Sequence, residues 1–394
     1  MKISLYSNKD QDALLDLIAK SISTSRTQSS WNGNQMTAIL ARDNNNNLIG
    51  ALPLEKREFN IGDGKTIKLL WISAAHVDPE YRSKGIGRKM DSFLRDHFNN
   101  KFDAVCAYCG DEKSRAYHWY HQLGFYPILQ ILAFRKHVNK INCISENRLI
   151  FNTEVDIKKY SKSLYSCFEK AIRNYGGFTM RDEKYWSHTF KYHYYKEFYK
   201  FVILAIRSKG NEFDAFALLG ETDMKDGIKR YDILEFIASS KKTEKILHNN
   251  IESYAYEKNI DEVRIQTSVV EPMSEWVGIN GYEYRNRSTN ILVSLINPSK
   301  YIEERYLELG EEKIPDLKIE TPIHKDIKIM GNGEKVSLFM NDDTLHQLIF
   351  NRLDIKHAVK HGKIVLVEGC SETLLKISEL FYLTPWRYFQ SDYI

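Results

Sequence analysis

The chain has 394 residues, with a hydrophobic fraction of 43%, a charged fraction of 27% and a formal net charge of +4. That length exceeds one ordinary core and predicts two or three domains. The small charge, with no concentrated basic run, excludes a dedicated nucleic-acid binder, and no stretch reaches the ~20 apolar residues of a membrane span.

MKISLYSNKDQD turns polar too soon for a secretory leader. Five scattered cysteines give no disulfide framework, so the expected compartment is a reducing cytoplasm. Cys106 and Cys109 form a lone CxxC within DAVCAYCG, which reads as a strand. With no second pair, they are expected to be buried core thiols, and no metal is expected.

In chain order, KDQDALLDLIAKSI places Leu14, Leu15, Ile18 and Ile22 on one helical face. The runs MTAILAR, NLIGALPL and TIKLLWISAAHV read as strands, separated by the turn signals NNNN and GDG. A helix with Met90, Phe93, Leu94 and Phe98 on one side follows, then the strand AVCAYC. SRAYHWYHQLG reads as a helix closed by Gly124, and FYPILQILAF as a strand. The order describes an α/β layer over residues 1–138.

Residues 139–297 repeat that order. KKYSKSLYSCFEKAIR reads as a helix, FVILAIR, DAFALLGET and YDILEFIASS as strands, and EKILHNNIESYAYEKN as a helix. DEVRIQTS, MSEWVGINGY and TNILVSLI then give a strand, a helical turn and a strand. The period is far longer than a solenoid repeat, so this is a domain duplication. Residues 298–394 predict a small α+β unit. Its strands are DLKIETP, KVSLFMN and KIVLVEG, and its helices NDDTLHQLIFNRL, DIKHAVKHG and SETLLKISELFYL. The last segment, PWRYFQSDYI, is too aromatic to hang free in water.

Function concentrates in VDPEYRSKGIGRKM. Arg82-Ser83-Lys84-Gly85-Ile86-Gly87-Arg88 follows an apolar strand and opens a helix. Backbone N–H groups at a helix N-terminus lack partners and carry partial positive charge. Glycines let that backbone approach an anion, and Arg82, Lys84 and Arg88 add cations. The combination predicts a pyrophosphate cradle. A P-loop would need a GK[ST] ending, and a dinucleotide fold a third glycine after Gly87; both are absent.

R-x-x-G-x-G after V-x-P resembles the acyl-CoA loop of the GNAT (Gcn5-related N-acetyltransferase) superfamily. In AYHWYHQLGFYPI, Ala116, Tyr120, Gly124 and Phe125 resemble the late motif of the same family. The resemblance implies acetyl-CoA as co-substrate, bound by His76, Val77, Arg82, Ser83, Lys84, Gly85, Ile86, Gly87, Arg88, Arg115 and Ala116. It implies Tyr120 as the acid that returns a proton to the departing sulfur, a task suited to a phenol, which holds its proton at neutral pH. In the second copy ASSKKTEK stands for RSKGIGRK, and Val277 stands four residues before Gly281 as Tyr120 does before Gly124. The second copy is therefore expected to be degenerate.

The plan of a catalytic copy, a degenerate copy and a C-terminal domain similar to sterol carrier proteins resembles the three-domain enhanced-intracellular-survival acetyltransferases. HGKIVLVEG, the helix after it and the aromatic end carry that likeness. It implies an amine acceptor, either an aminoglycoside- or polyamine-like molecule or a lysine. It implies a homo-oligomer, a hexamer in that family, and a terminal carboxylate, here on Ile394, that helps deprotonate the amine. His76 at the strand's end, or water, is the local alternative base. A non-catalytic acyl-CoA-binding scaffold is the alternative function. Three further features stay open. Trp31 could border the acceptor, KYHYYKEFYK reads as a packing surface, and Arg181, Asp182 and Glu183 read as a charged surface helix start.

Overall fold

The computed structural model describes residues 1–19, 36–73, 75–139, 148–186, 200–208, 210–223, 227–268, 272–307 and 315–392. Two compact units emerge. The first comprises Met1–Ser7, Thr37–Gln130 and Thr289–Pro385; the second comprises Asn8–Met36, Ile131–Ser288 and Trp386–Ile394.

The first unit opens with β1 (Lys2–Leu5), β2 (Met36–Arg42), β3 (Leu48–Gly62) and β4 (Lys65–Ile72). β3 and β4 form an antiparallel hairpin whose two loop residues, Asp63 (φ 54°) and Gly64 (φ 70°), are both left-handed. That backbone matches strand twist, which is why an Asp-Gly pair sits there. The chain continues through β5 (His76–Val77), α2 (Ile86–Phe98), β6 (Ala104–Gly110) and α3 (Arg115–Gln122), while α1 (Gln11–Ala19), between β1 and β2 in the chain, belongs to the second unit. β4 runs parallel to β6 over Leu69–Ile72 and Ala104–Ala107. There the strands part, because β5 turns aside to pair antiparallel with β3 at Gly50–Ala51.

The apolar face of α2 explains why this layer holds. Ile86, Met90, Leu94 and Phe98 recur at helical spacing and pack with Ile39, Leu52, Leu70, Val105 and Ala107. Leu94 is fully buried, so Leu94→Ala would leave a hole worth roughly 2–5 kcal/mol.

The second unit repeats the plan. Its elements are the part of β7 (Tyr126–His137) from Ile131 onward, β8 (Arg148–Phe151), α4 (Glu154–Ile172), β9 (Phe178–Thr179) and β10 (Lys200–Arg207). They continue through β11 (Phe213–Asp223), β12 (Lys229–Ala238), α5 (Lys241–Glu257), β13 (Glu262–Ser268) and α6 (Pro272–Ile279). β12 runs parallel to β13 over Arg230–Ile233 and Glu262–Ile265, the counterpart of β4 with β6. The final strand of each copy is exchanged. Ile131–His137 of β7 pair antiparallel with β13 in the second unit. Thr289–Leu295 of β14 (Glu283–Leu295) pair antiparallel with β6 in the first.

The C-terminal α+β part belongs to the first unit. It holds α7 (Pro298–Leu307) and strands β15 (Asp316–Glu320), β16 (Ile327–Ile329), β17 (Lys335–Met340) and β18 (Ile364–Glu368), in the order β16-β15-β17-β18. Helices α8 (Asp342–Ile349), α9 (Ile355–Lys360) and α10 (Ser371–Ile377) complete it. His346 of α8 joins this part to the exchanged strand: the Leu295 N–H donates to its Nε2 at 3.1 Å, and its Nδ1 meets the Asp342 carbonyl at 2.6 Å. Arg95 of α2 reaches Ser294 Oγ (2.8 Å) and the Leu123 carbonyl (3.0 Å).

Several elements differ from the sequence reading. TIKLLWISAAHV is two strands with a break, and NLIGALPL extends to Gly62. The helix predicted over SETLLKISELFYL ends at Ile377, and Leu375 is exposed. β1 and α7 were not anticipated. No helix among the described residues is long and apolar enough to cross a membrane.

Candidate active site

The stretch between β5 and α2 forms a sharp double reversal. Asp78 accepts a hydrogen bond from the Glu80 N–H at 3.1 Å and caps a short turn over Pro79–Tyr81. Arg82 folds back, its Nε donating to the Val77 carbonyl at 3.1 Å. Ser83 (φ 63°) and Gly85 (φ 75°) both take left-handed backbone on either side of Lys84. Gly85 is the N-cap of α2, and no side chain caps that helix. The first-turn N–H groups of a 13-residue helix therefore face outward with their dipole uncompensated.

The two glycines do different work. A Cβ on Gly85 would meet nothing within 4 Å, so the space above it is open. A Cβ on Gly87 would lie 2.6 Å from Trp119 Cζ2, so Gly87 lets α3 lean onto α2. Arg82, Ser83, Lys84, Gly85 and Arg88 are exposed, while Ile86 and Gly87 are buried. Lys84 Nζ lies 4.8 Å from the Tyr81 ring centre. Open space, free amides and cations fit a pyrophosphate. Arg115 and Ala116 are exposed in the first turn of α3, which Ser114 caps by accepting from the Tyr117 N–H at 3.2 Å.

Tyr120 projects from α3 into the core of the same unit, 6% exposed. Its ring meets Phe125 at 5.1 Å and Trp119 at 4.7 Å between centroids. Burial, with Cys109 and Cys106 nearby, pushes its pKa well above the ordinary phenol range. The phenol therefore keeps its proton at neutral pH. A thiolate in the same surroundings is raised as well: burial pushes Cys109 up to about 12. Cys106 and Cys109 are buried thiols, as the strand pattern predicted.

His76 is 7% exposed, and its Nε2 has no hydrogen-bond partner. Burial, then the Arg82 guanidinium, lowers its pKa, so the imidazole is neutral at neutral pH. Val77 beside it is half-buried.

The second copy keeps the frame and loses these features. Gly281 (φ 74°) ends α6 as Gly124 (φ 79°) ends α3. In both, the N–H after the glycine bonds five residues back, Phe125 to Tyr120 and Tyr282 to Val277. Val277 offers no proton. Ser240 and Thr243 form a reciprocal capping box at the start of α5, so the Thr243 N–H, the counterpart of the Arg88 N–H at α2, is filled by the Ser240 side chain.

All the predicted cofactor residues and Tyr120 thus belong to one compact unit. Ile394, Trp31 and residues 191–199 of KYHYYKEFYK lie outside the described residues. The surface reading of Arg181 is overturned. Asp182 and Glu183 are exposed, but the Arg181 side chain is 0% exposed and paired with Glu235 and Asp392. Sequence reading also missed Ser114 as a cap, although Ser before a helical run is a known start signal.

A parallel βαβ unit with splayed strands and an uncapped glycine-rich helix start is the frame on which these residues sit. Residues 10–125 match the model of the acetyltransferase (GNAT) family. The chain therefore carries a GNAT acetyltransferase domain and is an N-acetyltransferase that moves an acyl group to an amine. No curated protein matches it in sequence. Three solved structures share its fold along nearly the whole length. A GCN5-related N-acetyltransferase from Anabaena variabilis is 13% identical, with 98% of this chain and 99% of that chain covered and a TM-score of 0.69. A probable N-acyltransferase from Enterococcus faecalis is 12% identical, with 98% and 99% covered and a TM-score of 0.70. Eis1 from Mycobacterium abscessus is 9% identical, with both chains fully covered (100%) and a TM-score of 0.64.

Proposed function

We propose that this protein transfers the acetyl group of acetyl-CoA to a primary amine by direct attack, with Tyr120 as general acid. When bound, acetyl-CoA supplies an activated thioester. The N–H groups of Ile86, Gly87 and Arg88, with Arg82, Ser83, Lys84 and Gly85, hold the pyrophosphate. Arg115 and Ala116 at the start of α3 flank the same ligand. The strand end at His76 and Val77 orients the thioester arm, and backbone N–H groups there polarise its carbonyl. Tyr120 gives its proton to the departing sulfur.

The attacking ammonium must first lose a proton. The terminal carboxylate of Ile394 is the base we favour, with neutral His76 as the local alternative. The acceptor is a cationic amine, either an aminoglycoside- or polyamine-like molecule or a lysine side chain.

The observation that carries this reading is the contrast between the copies: the start of α2 is glycine-rich and has no side-chain cap, whereas the start of α5 lacks glycine and is capped by Ser240. The test is Tyr120→Phe. It should leave acetyl-CoA affinity intact while turnover falls by on the order of 10²-fold. Unchanged turnover would remove Tyr120 from the reaction. Extending the chain beyond Ile394 should likewise slow transfer. An extended enzyme with full activity hands the role of base to His76 or water.

A further inference from the structure

In each copy a parallel strand pair runs together for four residue pairs and then opens. β4 and β6 part after Ile72 and Ala107, and β12 and β13 part after Ile233 and Ile265. On the function proposed above, the opening of the first copy takes the thioester arm. In the second it is occupied by the chain's own end. Arg387 Nη2 donates to the Phe236 carbonyl on β12 at 3.2 Å, and Tyr388 OH donates to Gln266 Oε1 on β13 at 3.4 Å. The tail thus touches both diverging strands.

What holds it is a built polar site inside an aromatic box. Arg181, Glu235 and Asp392 have side chains 0%, 1% and 0% exposed. Arg181 Nη1 lies 3.0 Å from Glu235 Oε2, and Nη2 lies 3.3 Å from Asp392 Oδ1. Tyr185 OH donates to Asp392 Oδ1 at 2.8 Å, and the Thr179 N–H to Oδ2 at 3.2 Å. Ser391 Oγ donates to Glu235 Oε1 at 2.6 Å, while Trp186 Nε1–H donates to Oε2 at 2.9 Å. The Arg181 guanidinium carbon lies 4.4 Å from the Phe168 and Tyr185 ring centres and 4.8 Å from that of Phe389. Further back along the tail, the Arg387 N–H donates to the Gly176 carbonyl at 2.8 Å. Trp386 lies over Gly177, where a Cβ would come within 2.9 Å of the indole.

We propose that the β12–β13 opening of the second copy is a binding site for the chain's own C-terminal segment, Trp386–Asp392. This segment is seated where the twin copy receives its co-substrate, and Arg181 selects it by pairing with Asp392. The degenerate copy is thus a receptor whose ligand is an aromatic peptide with a Ser-Asp ending. Its loss of glycines and of the phenol fits that occupant. The tail is a ligand in the sense that it opens as a separate unit while the sheet around it stays closed.

Native-state hydrogen exchange on the full chain tests this. The amides of residues 387–392 should be protected in the wild type. Asp392→Asn and Arg181→Met should speed tail exchange by roughly 100-fold or more, the size expected when a buried charge loses its partner. Amides of β10, β11 and β12 should keep their wild-type protection. Ser391→Ala, which removes the bond to Glu235 and the longer one from Arg181 while keeping the Arg181–Asp392 pair, should give a smaller acceleration and decides the matter if Arg181→Met fails to fold. Three outcomes overturn the proposal. The tail of the wild type exchanges freely, the variants leave its protection unchanged, or tail and sheet lose protection together.

Discussion

Gly87→Ala separates the packing role of the loop from its anion-binding role. The added Cβ would lie 2.6 Å from Trp119 Cζ2 and 3.0 Å from Cε2 and Nε1. Ordinary carbon contacts are about 3.5–4.0 Å, so α2 and α3 must separate by about 1 Å at this point. Overpacking of this kind costs about 1–3 kcal/mol, and the gain of up to about 1 kcal/mol for alanine over glycine in a helix offsets part of it. The global loss should be small, within about 2 kcal/mol. The amides at the start of α2 would move with the helix, so acetyl-CoA affinity should fall by about tenfold, equivalent to about 1.4 kcal/mol. Titration calorimetry with CoA and a urea melt measure the two effects. Replacing Trp119 with leucine in the same chain removes the ring that Cβ strikes and should restore most of the affinity. Wild-type affinity in Gly87→Ala, or no rescue in the double variant, refutes the argument.

Stability should also depend on pH through His346. Burial, opposed by its bond to Asp342 and reinforced by His324 and Arg95, pushes its pKa down to about 3. The unfolded value is about 6.5, so between these limits the unfolded chain takes up a proton that the folded chain refuses. Stability from this residue is complete above pH about 6.5 and is lost as pH falls towards 3, at up to about 1.4 kcal/mol per pH unit. Urea melts at pH 7, 6 and 5 should show that slope, and His346→Gln should flatten it; an equal slope in the variant ends the assignment. Gly177→Ala places a side chain at φ 90° and against Trp386, so a loss of about 2–4 kcal/mol is expected in a urea melt, and a wild-type midpoint would contradict that contact.

Much of the catalytic copy was readable because its signals are local. Gly85, Gly87, Tyr120 and Gly124 lie within short windows whose geometry follows from neighbouring residues, and the loop and helix ends formed as their spacing implied. α7 was also readable. Pro298 at its first turn and the buried Tyr301, Ile302 and Tyr306 are a helical pattern that was passed over. The exchange of final strands was not readable, since FYPILQILAF and TNILVSLI are both apolar and nothing in either says which sheet it joins. Arg181 failed for a related reason. A lone arginine in a polar stretch looks solvated, and its burial depends on Glu235 and Asp392, which are remote in sequence.

The strand exchange also sets an order of events during synthesis. Chain emerging from the ribosome carries β6 long before its outer neighbour, Thr289–Leu295, exists. The catalytic sheet must wait with an open edge until nearly the whole second copy has been translated, a non-local pairing of the slow and sticky kind. A gene fragment ending near residue 138 would therefore yield a subunit with a bare strand, and a useful minimal enzyme has to include the sequence through Leu295.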